Sequence, residues 1–338
     1  MNTRDNRRDF IKKGLALAGT AGVLGAAMTS ATAQAPAPAP ASATRPTRRP
    51  ERFQDSFITE RKPFAWPGGK KLAVWVAPNV EVWRFDSAFG VGVSPNPANI
   101  VPDIINQGWR EYGLRVGLWR LADALDAAGI KATIALNSAV CEVYPKAIAE
   151  MKKRGWEFMG HGTTSSETLA GLAPDKEKEA IQHVLKTIEQ ATGQRPRGWL
   201  GAGLTETYNT LDILAEEGVT YCGDWNNDDQ PYRMQVKTGQ MFAIPYCMEI
   251  NDIPLYMRKG YTGDQYFRSV MDQFDTLLAD SKKQPRVMGI PLHPMISGQP
   301  LRIKYLQRVL AEMKKRDGVW FATGGEIIDA YRRANPGA

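Results

Sequence analysis

Three polar residues of this chain stand where a hydrolytic site could be assembled. Glu81 follows the apolar run Lys71 to Ala77 by way of Pro78-Asn79-Val80, His161 lies between Gly160 and Gly162, and His293 lies between Leu292 and Pro294. Each ends a strand-like run that a helical pattern follows, which is where a barrel of alternating strands and helices collects catalytic groups. A carboxylate beside an apolar strand is partly desolvated, and desolvation raises its proton affinity, so Glu81 suits the removal of a proton from water. Glycines on both sides of His161 let backbone and substrate come close, and an imidazole can exchange a proton near neutral pH. The chain has three histidines in all; the third, His183, falls inside the helical pattern Ile181 to Ile188 and reads as a surface residue.

A second polar group follows Cys222. Asp224, Asp228 and Asp229 cluster with Trp225 and Tyr232, and such carboxylates could coordinate a cation or accept hydrogen bonds from an NH-rich substrate. A solvated acidic turn fits the same residues, and the aromatics favour binding. Arg197 and Trp199 are further substrate-binding candidates. They lie at a strand start, but were that strand shorter, Arg197 could orient the carboxylate through a forked hydrogen-bond pair.

The elements that must carry these residues alternate along the chain. Lys71–Ala77, Ala132–Asn137, Trp156–Met159, Arg197–Leu200, Val219–Cys222, Phe242–Pro245, Val287–Leu292 and Val319–Ala322 read as strands. Between them, Val116–Ala128, Pro145–Arg154, Pro174–Thr192, Thr207–Glu217, Asp264–Ser281 and Arg302–Lys315 read as helices, the first four closing at Gly129, Gly155, Gly193 and Gly218. About seven strand-helix units in series favour a parallel barrel over an open doubly wound sheet. Two long loops interrupt the rhythm, Trp83–Trp109 and Asn226–Met241, and loops of that length on a regular scaffold commonly build a binding site. No glycine-rich nucleotide fingerprint is present, so a nucleotide has no support.

Composition agrees with one large domain: 338 residues, 43% hydrophobic and 23% charged. Residues 1–33 pair Arg7-Arg8 with a Gly/Ala-rich apolar run from Gly14 to Met28 and end on Ala31-Thr32-Ala33, resembling a twin-arginine signal. That signal implies passage through the twin-arginine export machinery as a folded protein, to the periplasm or the medium. Residues 34–62 read as a Pro/Ala/Arg-rich tether, and 63–338 as a single domain. Of the net charge of +7, +3 belongs to residues 1–33, and no basic stripe interleaved with aromatics follows, so nucleic acid is not an expected partner. Cys141, Cys222 and Cys247 show no metal-type spacing and read as core thiols, with one disulfide and one leftover thiol open as an alternative.

These motifs, in this order, resemble the polysaccharide deacetylase or NodB-homology family from about Lys71 to Arg332. The resemblance is closest to the branch of metal-independent allantoinases and cyclic imide hydrolases: Asn79-Val80-Glu81, Gly160-His161-Gly162, Arg197-Gly198-Trp199, Asp224 to Tyr232, and Leu292-His293-Pro294 followed by Gly298-x-Pro-x-Arg302. It implies an α/β fold, a distorted (β/α)7 barrel. The family's metal-dependent members carry two adjacent aspartates after the first strand and a His-x-x-x-His. Here those positions read Glu81-Val82 and His161 to Ser165, so two of three expected ligands are replaced by Val82 and Ser165, and no metal cofactor is expected.

Without a Lewis acid, the resemblance implies hydrolysis of a non-peptide carbon-nitrogen bond in a reactive cyclic amide, ureide or imide, with Glu81 as base and His161 and His293 as donors. A metal-dependent N-deacetylase of carbohydrate or peptidoglycan is the alternative, with a metal held by His161 and Glu167 or by the Asp224 group. An inactive barrel retained for ligand binding is a third. The substrate is thus a small molecule or a glycan, and assembly as a homo-oligomer stays open.

Overall fold

The computed structural model describes residues 51–87, 90–94 and 100–337. The twin-arginine segment, the first part of the tether and positions 88–89 and 95–99 of the long loop lie outside the described residues.

The described residues form nine strands: β1 (Leu72–Val80), β2 (Thr133–Leu136), β3 (Glu157–Gly160), β4 (Gly198–Trp199), β5 (Tyr221–Cys222), β6 (Tyr232–Met234), β7 (Met241–Ala243), β8 (Arg286–Leu292) and β9 (Val319–Phe321). Seven run parallel in the order β7-β5-β4-β3-β2-β1-β8, which is the distorted (β/α)7 barrel expected from the sequence. β6 adds antiparallel to β7, and β9 pairs with the first half of β1. Among the described residues no ladder joins β7 to β8. That seam is bridged by Trp75 Nε1 donating to Pro245 O at 2.9 Å and Val287 N donating to Asp229 O at 2.8 Å.

β1 is buried on both faces, so its sequence is an unbroken apolar run rather than an alternation. The two faces still part by register: Leu72, Val74 and Val76 pack outward under the helices, while Ala73, Trp75 and Ala77 point inward with Ala135, Met159, Leu200, Tyr246 and Phe242. Helix Gly324–Ala334 crosses the N-terminal end of the barrel. Ile327, Ile328 and Tyr331 join the inner cluster, and the first amides of the helix bond Thr133 and Glu157 at the starts of β2 and β3. With that end occupied by the helix, the mouth of the barrel lies at the C-terminal ends of the strands.

Three segments differ from the sequence expectation. Trp83–Trp109 is not all loop: helix Ile104–Tyr112 begins inside it, with the Asp103 carboxylate capping Asn106 N. Asn226–Met241 contains β6. Residues 51–62 are not a free spacer but a strap. Arg52 forks onto Asp212 at 3.0 and 3.1 Å, Phe53 meets the rings of Trp225 and Tyr232 edge-on, and Arg61 forks onto Asp228 at 2.8 and 2.5 Å. No helix of the described residues is long and apolar enough to cross a membrane.

Candidate active site

β1, β3 and β8 are neighbours or near neighbours in the sheet, and the residue just past each strand end turns over the mouth of the barrel. Glu81, His161 and His293 therefore converge there, 8%, 2% and 4% exposed. His161 Nδ1 lies 2.7 Å from Leu200 O. A carbonyl only accepts, so Nδ1 carries the proton and Nε2 faces Glu81 Oε1 at 3.2 Å. His293 is turned the same way: Nδ1 lies 2.6 Å from Asp252 Oδ1, and Nε2 lies 3.7 Å from Glu81 Oε2. The carboxylate thus sits between two imidazole nitrogens of the same kind.

A lone pair aimed at a carboxylate oxygen is repelled by it, so this geometry requires protons on the facing Nε2 atoms or on Glu81 itself. Burial pushes the Glu81 carboxyl up, as the sequence suggests. The hydrogen bond from His161, the charge of His293 and the Ser165 hydroxyl, 2.5 Å from Oε1, together outweigh burial and bring it down to about 2. The direction expected from desolvation alone is therefore reversed. Burial lowers His293, but Asp252 and then Glu81 outweigh it, and its net shift is upward. Glu81 Oε2 is buried, and no protein group among the described residues hydrogen-bonds it.

The supports of this trio come from the surrounding loops. Asn137 accepts from Val82 N at 3.0 Å and donates to His161 O at 2.5 Å, fixing the turns that follow β1 and β3. Asn79 Nδ2 donates to Tyr246 Oη at 2.7 Å inside the barrel. Helix Ile104–Tyr112 continues through a π-helical turn, Gly113–Gly117, into helix Leu118–Ala128, and this bulge presses on the loop that carries His293. A Cβ at Gly117 would stand 2.1 Å from Pro294 O, so only glycine allows the approach. Arg110, on the same helix run, stacks on Trp83 at 5.0 Å and donates to Val91 O at 3.1 Å, tying the loop after Glu81 to the rim.

A metal of the kind bound by the family's metal-dependent members has few donors to meet here. Val82 offers none, and Ser165 is committed to Glu81 and lies 3.1 Å from Asn137 Oδ1. His161 Nε2 is already in hydrogen-bond contact with Glu81, and Glu167 is half exposed and pairs with Arg84 at 3.2 Å. The donor set around Glu81 does not fit a zinc cage.

The remaining candidates are distributed differently from the sequence expectation. Arg197 stands at the opposite end of β4, forked onto Asp329 at 3.0 and 2.6 Å, and is not brought to Glu81. Trp199 is fully buried, its ring against Gly160, and belongs to the outer core rather than to a binding surface. Asp228 pairs with Arg61 of the strap, Asp229 stands 3.5 Å from Arg286, and Tyr232 donates to Asn227 at 2.8 Å, so these three serve the seam and the strap. Asp224 and Trp225 do lie at a strand end of the catalytic face. Asp224 accepts from Gly201 N at 2.8 Å, and Trp225 Nε1 donates to Glu206 at 3.1 Å. The three cysteines are free, Cys222 buried and the other two half-buried.

A cavity of about 620 Å³ opens elsewhere, between the strap and the segment after β7, lined among others by Phe57, Cys247, Met248 and Gln273. It includes none of Glu81, His161 and His293, and Asp228 and Asp229 are among its lining residues.

Asp252, the direct partner of His293, was not visible in the sequence. It is the N-cap residue of the short π-helical segment Ile253–Arg258, too brief to show a period in the sequence, and its contact with His293 spans 41 residues.

Residues 107–222 match the family model described as polysaccharide deacetylase. A Schizosaccharomyces pombe protein with the polysaccharide deacetylase designation is 26% identical over 299 residues, 80% of this chain and 93% of that protein. The solved structure of PuuE allantoinase is similar at a TM-score of 0.75 and 27% identity, over 85% of this chain and 99% of the allantoinase. A Pseudomonas aeruginosa structure of polysaccharide deacetylase designation gives 0.74 and 26%, over 85% of this chain and 100% of that one.

Proposed function

We propose that this polysaccharide deacetylase-type protein is a hydrolase of non-peptide carbon-nitrogen bonds that opens a cyclic amide, ureide or imide by a metal-independent general-base mechanism. The observation that carries this reading is the Glu81 carboxylate held between the Nε2 atoms of His161 and His293, with Val82 and Ser165 beside it where a metal would need ligands. The likeness to a solved allantoinase supports it further.

At about 2, Glu81 is a weak base in the free protein. Its weakness comes from the two imidazoles, and those same groups are the donors a substrate carbonyl needs. When the carbonyl oxygen takes a hydrogen bond from Nε2–H of either histidine, that donor loosens its hold on Glu81, whose proton affinity then rises toward what burial alone would give. Glu81 takes a proton from water as the water oxygen attacks the carbonyl carbon, and the imidazoles hold the developing oxyanion. The ring C–N bond then breaks, and the nitrogen takes a proton from Glu81 or from His293. One water is consumed, and a carboxylate and an N–H are the products. An N-acetyl group is less reactive than a strained or doubly activated ring amide, and a site without a Lewis acid suits the ring. The twin-arginine reading of residues 1–33 would place this activity in the periplasm or outside the cell.

The test is elemental analysis of protein purified without chelator, together with hydrolysis of hydantoins, cyclic imides and N-acetylated glycans before and after chelation. Metal-free protein that opens a ring substrate, unaffected by chelator, is the expected result. Stoichiometric zinc whose removal stops turnover of an N-acetylated glycan would overturn the reading.

A further inference from the structure

One peptide group joins His161 to a second carboxylate. Leu200 O lies 2.7 Å from His161 Nδ1, and Gly201 N, the other half of the same peptide unit, donates to Asp224 Oδ1 at 2.8 Å. Resonance across the C–N bond couples the two ends. A carboxylate drawing on the N–H places more negative charge on the carbonyl oxygen and makes it a better acceptor. We propose that Asp224 is a positioning residue for His161, acting through the Leu200–Gly201 peptide to hold the ring by its Nδ1–H and so to turn Nε2 toward Glu81. Its catalytic consequence rests on the role given to His161 above.

The local structure is arranged for this contact. A Cβ at Gly201 would stand 2.5 Å from Thr205 O and 3.1 Å from Asp224 Oδ2, so any larger residue would displace the carboxylate from the amide. Among the described residues Asp224 is not held by a cation in the manner of Asp228 or Asp329. Its neighbours are acidic: Cys222 Sγ lies 3.3 Å from Asp224 Oδ2 and 3.5 Å from Glu206 Oε1, and the ligand atoms of all three lie within 4.8 Å of one another. Burial, then the charge of Glu206, pushes the Asp224 carboxyl well above the usual carboxylate range, and burial raises Glu206 as well. Two such groups side by side retain a proton between them and share a single negative charge, and the Gly201 N–H donates into that pair. The buried Cys222 thiol, itself pushed up by burial, stays protonated and can donate to either oxygen.

The result is a site with two histidines backed in two ways. His293 meets its carboxylate directly, and His161 meets one across a peptide group. The direct contact fixes a ring and supports its positive charge. The indirect one fixes the ring and passes on only part of a charge.

The experiment is nuclear magnetic resonance of the histidine-labelled protein, reading the Nδ1–H proton of His161; with three histidines in the chain the spectrum can be assigned. Asp224→Asn keeps an acceptor oxygen for Gly201 N–H but removes the charge. The resonance is expected to move upfield, and kcat to fall on the order of tenfold with KM nearly constant, as for a group one hydrogen bond removed from a working imidazole. Glu206→Gln leaves Asp224 as the sole carboxylate, so the resonance is expected to move the other way, and this variant decides the matter should Asp224→Asn fail to fold. Asp329→Asn, at the far end of β4, leaves the resonance in place. A His161 resonance that stays put in a folded variant, or moves in the same direction in both, overturns the proposal. Opposite movements in a protein that hydrolyses no ring substrate would keep the positioning role and discard the proposed reaction.

Discussion

Asp252 receives three hydrogen bonds from one short segment: His293 Nδ1 at 2.6 Å, His293 N at 2.7 Å and Ser297 Oγ at 2.6 Å. Both carboxylate oxygens face donors, so the imidazole can neither flip nor shed its Nδ1 proton without breaking a buried contact. Asp252→Asn would set an amide NH2 against at least one of these donors. We expect kcat to fall by about 10²- to 10⁴-fold, the range for loss of general acid-base function, with the protein still folded by circular dichroism. Activity within a few-fold of wild type would remove His293 from the reaction.

The pH dependence follows from the signs of two shifts. The mechanism needs Glu81 ionised and His293 protonated. Glu81 is brought down to about 2 from 4.5, and His293 is raised above 6.5, chiefly because Asp252 outweighs burial. The plateau of kcat/KM is therefore expected to reach above pH 6.5, with its alkaline limb moving down in Asp252→Asn. Stability carries the same signs. A depressed carboxyl stabilises the fold above its unfolded value and loses that contribution as pH falls through the folded one, so the Glu81 share fades between pH 4.5 and about 2. The raised His293 contributes fully below 6.5, and its share is lost as pH rises through the higher folded value. Melting curves of Glu81→Gln should be flatter across the acid window; an unchanged slope would refute the assignment.

Glu81→Gln is isosteric but cannot take a proton. Turnover is expected to drop by at least about 10³-fold, while calorimetry should still detect binding of the ring substrate, because the Nε2 donors remain. Retained turnover would remove the base from the mechanism.

The strands and most helices were legible because they obey one-dimensional rules. Pro174–Thr192 has its expected boundaries, and β1 declares itself as an apolar run. Glu81, His161 and His293 could be selected because position at a strand end is itself a sequence property. Side-chain direction is not. Arg197 and Trp199 are two residues apart, yet one meets Asp329 in solvent and the other is sealed in the core. Helix Gly324–Ala334 escaped notice because its glycine start masks its period, and the strap at 51–62 because its holding contacts span 160 residues or more.

That pair yields a contrast between neighbours. Arg197→Ala removes an ion pair whose side chains are 44% and 35% exposed, so it should cost less than about 1 kcal/mol and leave kcat within about twofold. Trp199→Ala empties a fully buried site and should cost about 3 to 5 kcal/mol. Urea denaturation of both variants, with kcat at a permissive temperature, distinguishes them; a large loss of kcat in folded Arg197→Ala would restore that residue to the site.

Gly117→Ala tests whether the π-helical turn sets the position of His293. The added methyl would start 2.1 Å from Pro294 O, and backbone on both sides leaves little room for relief: Gly298 also packs on Gly117, where its own Cβ would stand 2.5 Å from Gly117 Cα. Alanine is otherwise the better helix former, so a purely local effect would stabilise the helix by up to about 1 kcal/mol. Overpacking instead costs about 1 to 3 kcal/mol and moves the segment that follows β8. Displacing His293 Nε2 by even about 1 Å from a reacting atom lowers turnover by about 10²-fold through lost orientation. We expect a destabilised protein with kcat reduced far more than KM is changed. A variant more stable than wild type and fully active would mean that the bulge is a packing accommodation with no bearing on the imidazole.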